Sequence, residues 1–454
     1  MLANAVGPIR ANGYSQKDRR MAHIGRILKN HIVFFLLLVL AIPASAQEVA
    51  SDIDDDGLPR VIVGPAQRTR DFIARTDVQC AAAKSVCDTI DKQLAHNLEL
   101  STFFELVDPK TFVANMSTET LAETSWPDWF NVGARYLIKG TVSGTGPYDL
   151  ELRFYNVLDK KTVKIPGQSS PALNKDEVPA AVNRFINGLI GALTGTPGIF
   201  GSKIVYAAKT GPGTRAIGMV EMDGSNQRGV AGGGTINLFP HFAPSGGVIY
   251  TSFRSGKPDL WVGKKRLTND PWHYRGASYS SSGVLAASLS KGSGSDIYIV
   301  TGGKPTKRLT HGQGENVSPT WSPDGSQIAF VSDRAGGPQI YVMGAGGGSA
   351  RRLSMAGNYN STPHWGPNNL ITFASMTDGG SDIFTVDLSG TMVRITQDQG
   401  VNEDPCWSPD GRYIAFVSRR VGHGKKIWLA SSDGRWQFPI TKRGGSYSTP
   451  RWGR

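Results

Sequence analysis

From residue 203 onward the apolar positions fall in short runs, each closed by Gly, Pro, Ser and Asp. Four of the runs are Val248–Phe253 (VIYTSF), Gln327–Ser332 (QIAFVS), Leu370–Ser375 (LITFAS) and Tyr413–Ser418 (YIAFVS). A second set, reached through Gly-rich loops, includes Asp296–Thr301, Gln339–Gly344, Asp382–Asp387 and Lys426–Ser431. Their β-branched and aromatic content predicts strands, and a third set ends on Arg-Leu-Thr or a close variant at 266–268, 308–310 and 394–396. Ahead of each first run stands an aromatic residue and a Ser-Pro-Asp-Gly type turn. The proline presets φ and the glycine takes the left-handed position. The aromatics are Phe242, Tyr279, Trp321, Trp365, Trp407 and Trp452, spaced 37, 42, 44, 42 and 45 residues apart. Periods of this length with several strands per unit mark propeller blades. Residues 203–230 supply three strands without a leading one, and Trp452 supplies a leading strand with nothing after it. Joined, the two halves make a sixth blade, so the predicted ring is closed by the C-terminal strand. In this reading the recurrent Trp, Pro, Asp and Gly are core and turn residues.

Residues 60–195 have another rhythm. Val86, Ile90, Leu94 and Leu98 predict an amphipathic helix, and Val178, Val182, Phe185, Leu189 and Leu193 predict a second one stopped by Gly195. The segments around 60–66 and 104–107 and the stretch from Tyr136 predict strands. A helix is predicted over WPDWF, and a hairpin between 149–157 and 161–165. The predicted fold is therefore two-domain: a small mixed α/β domain, then an all-β six-bladed propeller over 196–454, with 195–201 as a short stiff linker.

The first 46 residues read as a cleavable export signal. Five basic residues from Lys17 to Lys29 precede the apolar run Ile32–Ile42, and Ala44-Ser45-Ala46 is a small-x-small cleavage site. Met1 and Met21 are both open as the start. The apolar run is short for a bilayer span, so cleavage and no stable membrane insertion are expected. Loss of 1–46 lowers the net charge from +12 to +7. The basic residues form no dense block with interleaved aromatics, which argues against nucleic acid and favours an acidic protein surface as partner. Of three cysteines, Cys406 reads as a small buried hydrophobe. Cys80 and Cys87 pair only if the helix begins after Cys80, because on one unbroken helix they stand roughly 10 Å apart.

The sequence lacks the GxSxG, HExxH and phosphate-loop signatures and any Cys/His metal spacing, so a non-enzymatic protein is expected, without cofactor or metal. His96, His241, His311 and His364 are scattered and read as packing or surface residues. Two sets of candidate binding residues remain. Asn237, Asn316, Asn360 and Asn402 each lie three residues before the proline of a first strand, and Tyr274 and Tyr447 hold that place in the other units. Such a ring of amides would sit near the mouth of the central channel, where it would suit a protein, a sugar or another small ligand; asparagines that merely bind their own turns are the equal alternative. The loops after the second strands carry Arg254, Arg334 and Arg419, with Lys257, Lys291, Arg420, Lys425 and Lys426 nearby. They predict a positive face. Residues 47–59 read as a flexible acidic arm with Asp52, Asp54, Asp55 and Asp56. Its DxDxDG start matches a calcium loop only in part, since the twelfth position is Val63 rather than Glu, so calcium stays open as the weaker reading beside an acidic leader.

The segments LVDPKTF, WFNVGARYLIKGTV and LTGTPGIFGSKIVY, followed by the WSPDG…IAFVS…IYVM…RLT repeats, resemble the TolB family of the Gram-negative Tol–Pal system over nearly the whole chain after the signal. The resemblance implies a periplasmic scaffold that links the peptidoglycan-associated lipoprotein Pal to TolA. It also implies a role in outer-membrane integrity and in constriction during cell division. It places His273, with Tyr274 and Arg275 in HYRGA, at the Pal-binding surface, and makes the N-terminal arm a mobile element engaging TolA.

Overall fold

Alternating apolar positions put one face of each strand into a shared interior, and that interior organises both domains. The computed structural model describes residues 52–53, 59–60 and 70–453, apart from 114, 293, 313, 379, 398, 421–423 and 442–444. The signal segment, most of the acidic arm and the strand expected over 61–66 lie outside the described residues.

In the first domain a mixed sheet runs in the order Phe104–Leu106, Asp71–Arg75, Tyr136–Ser143, Tyr148–Asn156, Lys161–Val163. The first two pairings are parallel and the rest antiparallel. The pattern did not reveal Asp71–Arg75, nor the two further strands that complete the sheet, Gln79–Ala81 and Ser169–Leu173. Helices α1 (Lys84–Leu100) and α3 (Val178–Thr194) cover one face, and the short α2 (Trp126–Asn131) covers the other. The predicted stripes are buried except at the end of α3, where Leu193 emerges. Gly195, at φ 77°, ends α3 in the left-handed conformation.

Helix α1 begins at Lys84, after Cys80, and Cys80 and Cys87 are disulfide-bonded with Cα atoms 6.0 Å apart. The bridge ties the strand Gln79–Ala81 to the first turns of α1. Chain entropy for so short a loop gives about 2 kcal/mol of stabilisation. Cys80→Ser is expected to lower the urea midpoint of unfolding accordingly, and an unchanged midpoint would show that the bridge is dispensable.

The second domain is six four-stranded antiparallel sheets. Blades one to five span 237–266, 273–308, 316–352, 360–394 and 402–439. The sixth joins Lys203–Gly211, Thr214–Glu221 and Arg228–Ala231 to the C-terminal strand Tyr447–Gly453. Every leading strand carries a bulge at its third residue. Phe239, Ser318, Thr362, Asp404 and Thr449 hold φ between 49 and 56° there, and Gly276, at φ 103°, takes that place in blade two. Left-handed backbone costs a non-glycine residue on the order of 1 kcal/mol or more, and here it re-aims the next side chains towards the axis.

The two domains share one core. Side chains of α1 and α3 cluster with Ile204, Tyr206 and Val220 of blade six and with Tyr413, Ala415, Ile427 and Leu429 of blade five. Polar contacts fasten the seam. The Tyr413 hydroxyl donates to the Ser101 carbonyl at 2.9 Å, and the Trp452 indole donates to Ser202 Oγ at 2.8 Å. Arg412 donates to Thr194 Oγ1 and to the Thr196 and Pro197 carbonyls. The described residues of the two domains therefore form one compact unit.

Candidate functional site

The four asparagines are buried at 0 to 1 % exposure, inside the ring wall rather than at an open mouth. All four join neighbouring blades, three of them through side-chain acceptors. Asn316 Nδ2 donates to Asp296, Asn360 to Gln339 and Asn402 to Asp382, each acceptor opening the third strand of the preceding blade. That acceptor also takes the hydroxyl of Thr310, Ser354 or Thr396, two residues past the fourth strand, whose oxygen in turn accepts the main-chain N–H of Ile297, Ile340 or Ile383. One buried clasp thus explains three repeat motifs together: the threonine of Arg-Leu-Thr, the Asp or Gln before the third strand, and the Asn of the next unit. Asn237 donates instead to the Arg215 carbonyl. Tyr274, fully buried, donates to Asp270 at 2.5 Å; burial and that carboxylate hold its phenol far above the usual range.

The arginines are divided. Arg334 and Arg420 cap the clasps, donating to Asn316 Oδ1 at 2.8 Å and Asn402 Oδ1 at 2.9 Å and lying over Tyr341 and Trp428. Burial lowers the Arg420 guanidinium to about 10. Arg254 takes the same place over Trp261. Arg420, not Arg419, is the repeat equivalent of Arg254 and Arg334. The signal was present in the sequence: each stands two residues after the serine that ends the second strand, Ser252, Ser332 or Ser418. Arg419 is left exposed.

His273 and Arg275 are exposed on the same rim. The rim is less positive than its loop cations suggest, because acids from neighbouring segments answer them. Arg275 pairs with Glu315 at 3.3 Å, Lys425 with Glu403 and Lys257 with Asp259. The rim also shows apolar side chains that the repeat pattern hid: Phe239, Phe253, Met355, Tyr359 and Met376, from 37 to 66 % exposed. Tyr359 and Met376 border a groove of about 510 Å³ between blades four and five, with Ser361, Thr362, Glu403 and Asp404. For Phe239 the available sign was a large apolar residue where the other leading strands carry Gly, Ser, Thr or Asp. Of the arm, Asp52–Ile53 pair antiparallel with Pro59–Arg60, and Asp54, Asp55 and Asp56 lie outside the described residues.

Inside the ring, the fifth residue of five leading strands and the sixth of blade two form a belt: His241, Ser278, Thr320, His364, Cys406 and Arg451. Thr320 Oγ1, His364 Nδ1 and Cys406 Sγ accept the main-chain N–H groups of Trp365, Trp407 and Trp452 in the next blades, at 3.1 to 3.2 Å. Burial lowers His241 to about 4 and pushes the Cys406 thiol up to about 11. The belt narrows the channel to a cavity of about 40 Å³, room for about three waters and too small for a sugar ring. Below it lies a wider recess of about 500 Å³ lined by Trp321, Trp365, Trp407, Trp452 and the Ser-Pro turns. Among the described residues no group of three or more His, Cys, Asp or Glu is placed to hold a metal ion, and no helix is long and apolar enough to cross a membrane.

A small α/β domain welded to a six-bladed propeller, with a nearly occluded channel and a mixed apolar and basic rim, defines a two-domain propeller protein. The chain belongs to the TolB family. The family model of the TolB beta propeller domain matches residues 190–454, and that of the TolB amino-terminal domain matches 61–163. It is 36 % identical over 257 residues to the Tol-Pal system protein TolB of Desulfosudis oleivorans, covering 53 % of this chain and 55 % of that protein. The match thus spans little more than half of that relative's length. The Tol-Pal system protein TolB of Bordetella pertussis is 28 % identical over 360 residues, 73 % of this chain and 78 % of that one. The crystal structure of TolB from Acinetobacter baumannii superposes with a TM-score of 0.72 at 20 % identity, over 85 % of this chain and 96 % of that chain, which establishes the shared fold.

Proposed function

We propose that this protein is an exported, non-catalytic component of the Tol–Pal system that works in the periplasm by binding other proteins, Pal at the propeller rim and TolA through the N-terminal arm. In that role it supports outer-membrane integrity and constriction at division. The observation that carries the reading is the rim itself. Exposed Tyr359, Met376, Phe253 and Phe239 stand among Arg254, His273, Arg275 and Arg419, the mixture of apolar anchors and cations typical of a protein-docking surface. The buried asparagines and Tyr274 would shape that surface without touching the partner, as would Arg334 and Arg420. The narrow channel weighs against a sugar within it.

Purified Pal is expected to bind the wild type, and Tyr359→Ala with Met376→Ser to weaken it at least tenfold, an effect of anchor residues on dissociation. Arg254→Glu with Arg419→Glu is expected to slow association several-fold, and about 300 mM salt to do likewise. Full binding by the apolar double variant would remove the rim from the reading. Deleting 47–57 is expected to change affinity for TolA while Pal affinity reports on the rim; TolA binding that ignores the arm would sink that half of the proposal.

A further inference from the structure

Arg451 breaks the chemistry of the belt. Blades three to five place an acceptor at this position for the next blade's amide, whereas a guanidinium offers only donors. Among the described residues its side chain makes one hydrogen bond, from Nη1 to the Pro450 carbonyl at 2.8 Å, and has no carboxylate within ion-pair distance. Arg451 lines the channel cavity beside Thr449, which is 7 % exposed and whose Oγ1 has no hydrogen-bond partner. Half-buried Arg451 and buried Thr449 therefore turn donor groups towards one small space.

The neighbours answer that charge only in part. Arg275, at the edge of the cavity, is taken by Glu315. Asp404 lies close enough to feel Arg451, yet burial keeps its carboxyl above the usual range, and its Oδ2 already accepts the Thr449 N–H at 2.8 Å. His364 accepts the Trp407 N–H at Nδ1, so its proton sits on Nε2, a third donor lining the same cavity.

We infer that the propeller channel holds a small monovalent anion of carboxylate shape, bound by the Arg451 guanidinium and the Thr449 hydroxyl. The cavity's size, about three water-sized positions, suits the three heavy atoms of a carboxylate and excludes phosphate esters and sugars. The forked donors of arginine match two carboxylate oxygens. Both binding residues lie on Tyr447–Gly453, the strand that closes the ring, so occupancy clamps the closure and couples anion concentration to stability.

The probe is formate. Thermal unfolding of the whole chain is followed as sodium formate replaces sodium chloride at constant ionic strength. The wild-type midpoint is expected to rise with formate; Arg451→Gln is expected to abolish the rise, and Thr449→Val to require about five- to tenfold more formate for the same shift. Equal responses in wild type and Arg451→Gln would mean a general salt effect over a channel holding water only, and would overturn the inference. Should Arg451→Gln not fold, line broadening of ¹³C-formate by the wild type and by Thr449→Val decides: broadening by the wild type that the variant weakens supports the site, and no broadening by the wild type ends it.

Discussion

A chain that stops before Pro450 is expected to lose most of its cooperative unfolding transition. The removed residues pair with Lys203, Ile204 and Val205, so their loss opens the ring and exposes a strand edge in blade six. Trp452 goes with them. Its indole is 8 % exposed, stacks on Tyr413 at 6.3 Å and donates to Ser202, and its main-chain N–H meets Cys406 Sγ. Truncating such a side chain alone costs about 3–5 kcal/mol. With the strand pairing lost as well, the total exceeds about 5 kcal/mol, a large fraction of an ordinary domain's stability. Because Trp452 sits in the core shared with α1 and α3, the damage should reach the first domain. Urea unfolding followed by tryptophan fluorescence, with limited trypsin digestion, checks this. Trp452→Phe keeps the ring but removes the Ser202 bond, and should lose only about 1–2 kcal/mol. A truncated chain that melts like the full one would show that the strand does not hold the ring closed.

The blades were legible because their signal is repeated. An aromatic every 37 to 45 residues followed by a fixed turn needs no long-range information to be recognised, and the helical stripes of α1 and α3 have the same local character. Ser169–Leu173 escaped because Pro171 and left-handed Ala172 break its alternation; only its neighbour Tyr148–Asn156 makes it a strand. The disulfide turned on one local question, where α1 begins, and Lys84 as its first residue answers it.

The candidate site was legible as positions but not as environments. The asparagines stood out as a ring, yet their acceptors lie 20 or 21 residues away in another blade, so burial could not be read from their own segments. Counting cations overstated the charge of the rim for the same reason: Glu315 belongs to the blade after Arg275, and Glu403 lies 22 residues before Lys425. The belt at the channel waist has no shared residue type, since Ser, Thr, His and Cys can each accept an amide, and chemistry of that kind leaves no motif.

Acid is expected to destabilise the protein well before its exposed carboxylates titrate, and the belt histidines are the reason. His241 is enclosed by the leading strands, donates from Nδ1 to the Phe242 carbonyl and faces Ser278; burial first, then Arg451, sets its protonation against that hydrogen bond, and its value falls from 6.5 to about 4. His364 is lowered well below 6.5 by burial, by Arg451 and by His241 itself. The folded state therefore binds fewer protons than the unfolded state between these values. Stability from such groups is complete above pH 6.5 and is lost as pH falls towards the folded value. His241 alone accounts for no more than about 3 kcal/mol over that window, an upper figure because part of its ring faces the channel. His364 adds to the loss in the same direction. Asp91 and Asp404 work the other way: burial raises both, so their protonation favours the folded state as the medium becomes acid. They offset part of the loss at its lower end, where carboxyls begin to take up protons. Urea unfolding at pH 7.5, 6.0 and 5.0 should show the wild type losing stability at each step, while His241→Gln with His364→Gln flattens the dependence between pH 6.5 and 5. A wild-type slope equal to that of the double variant would place the acid sensitivity outside the channel.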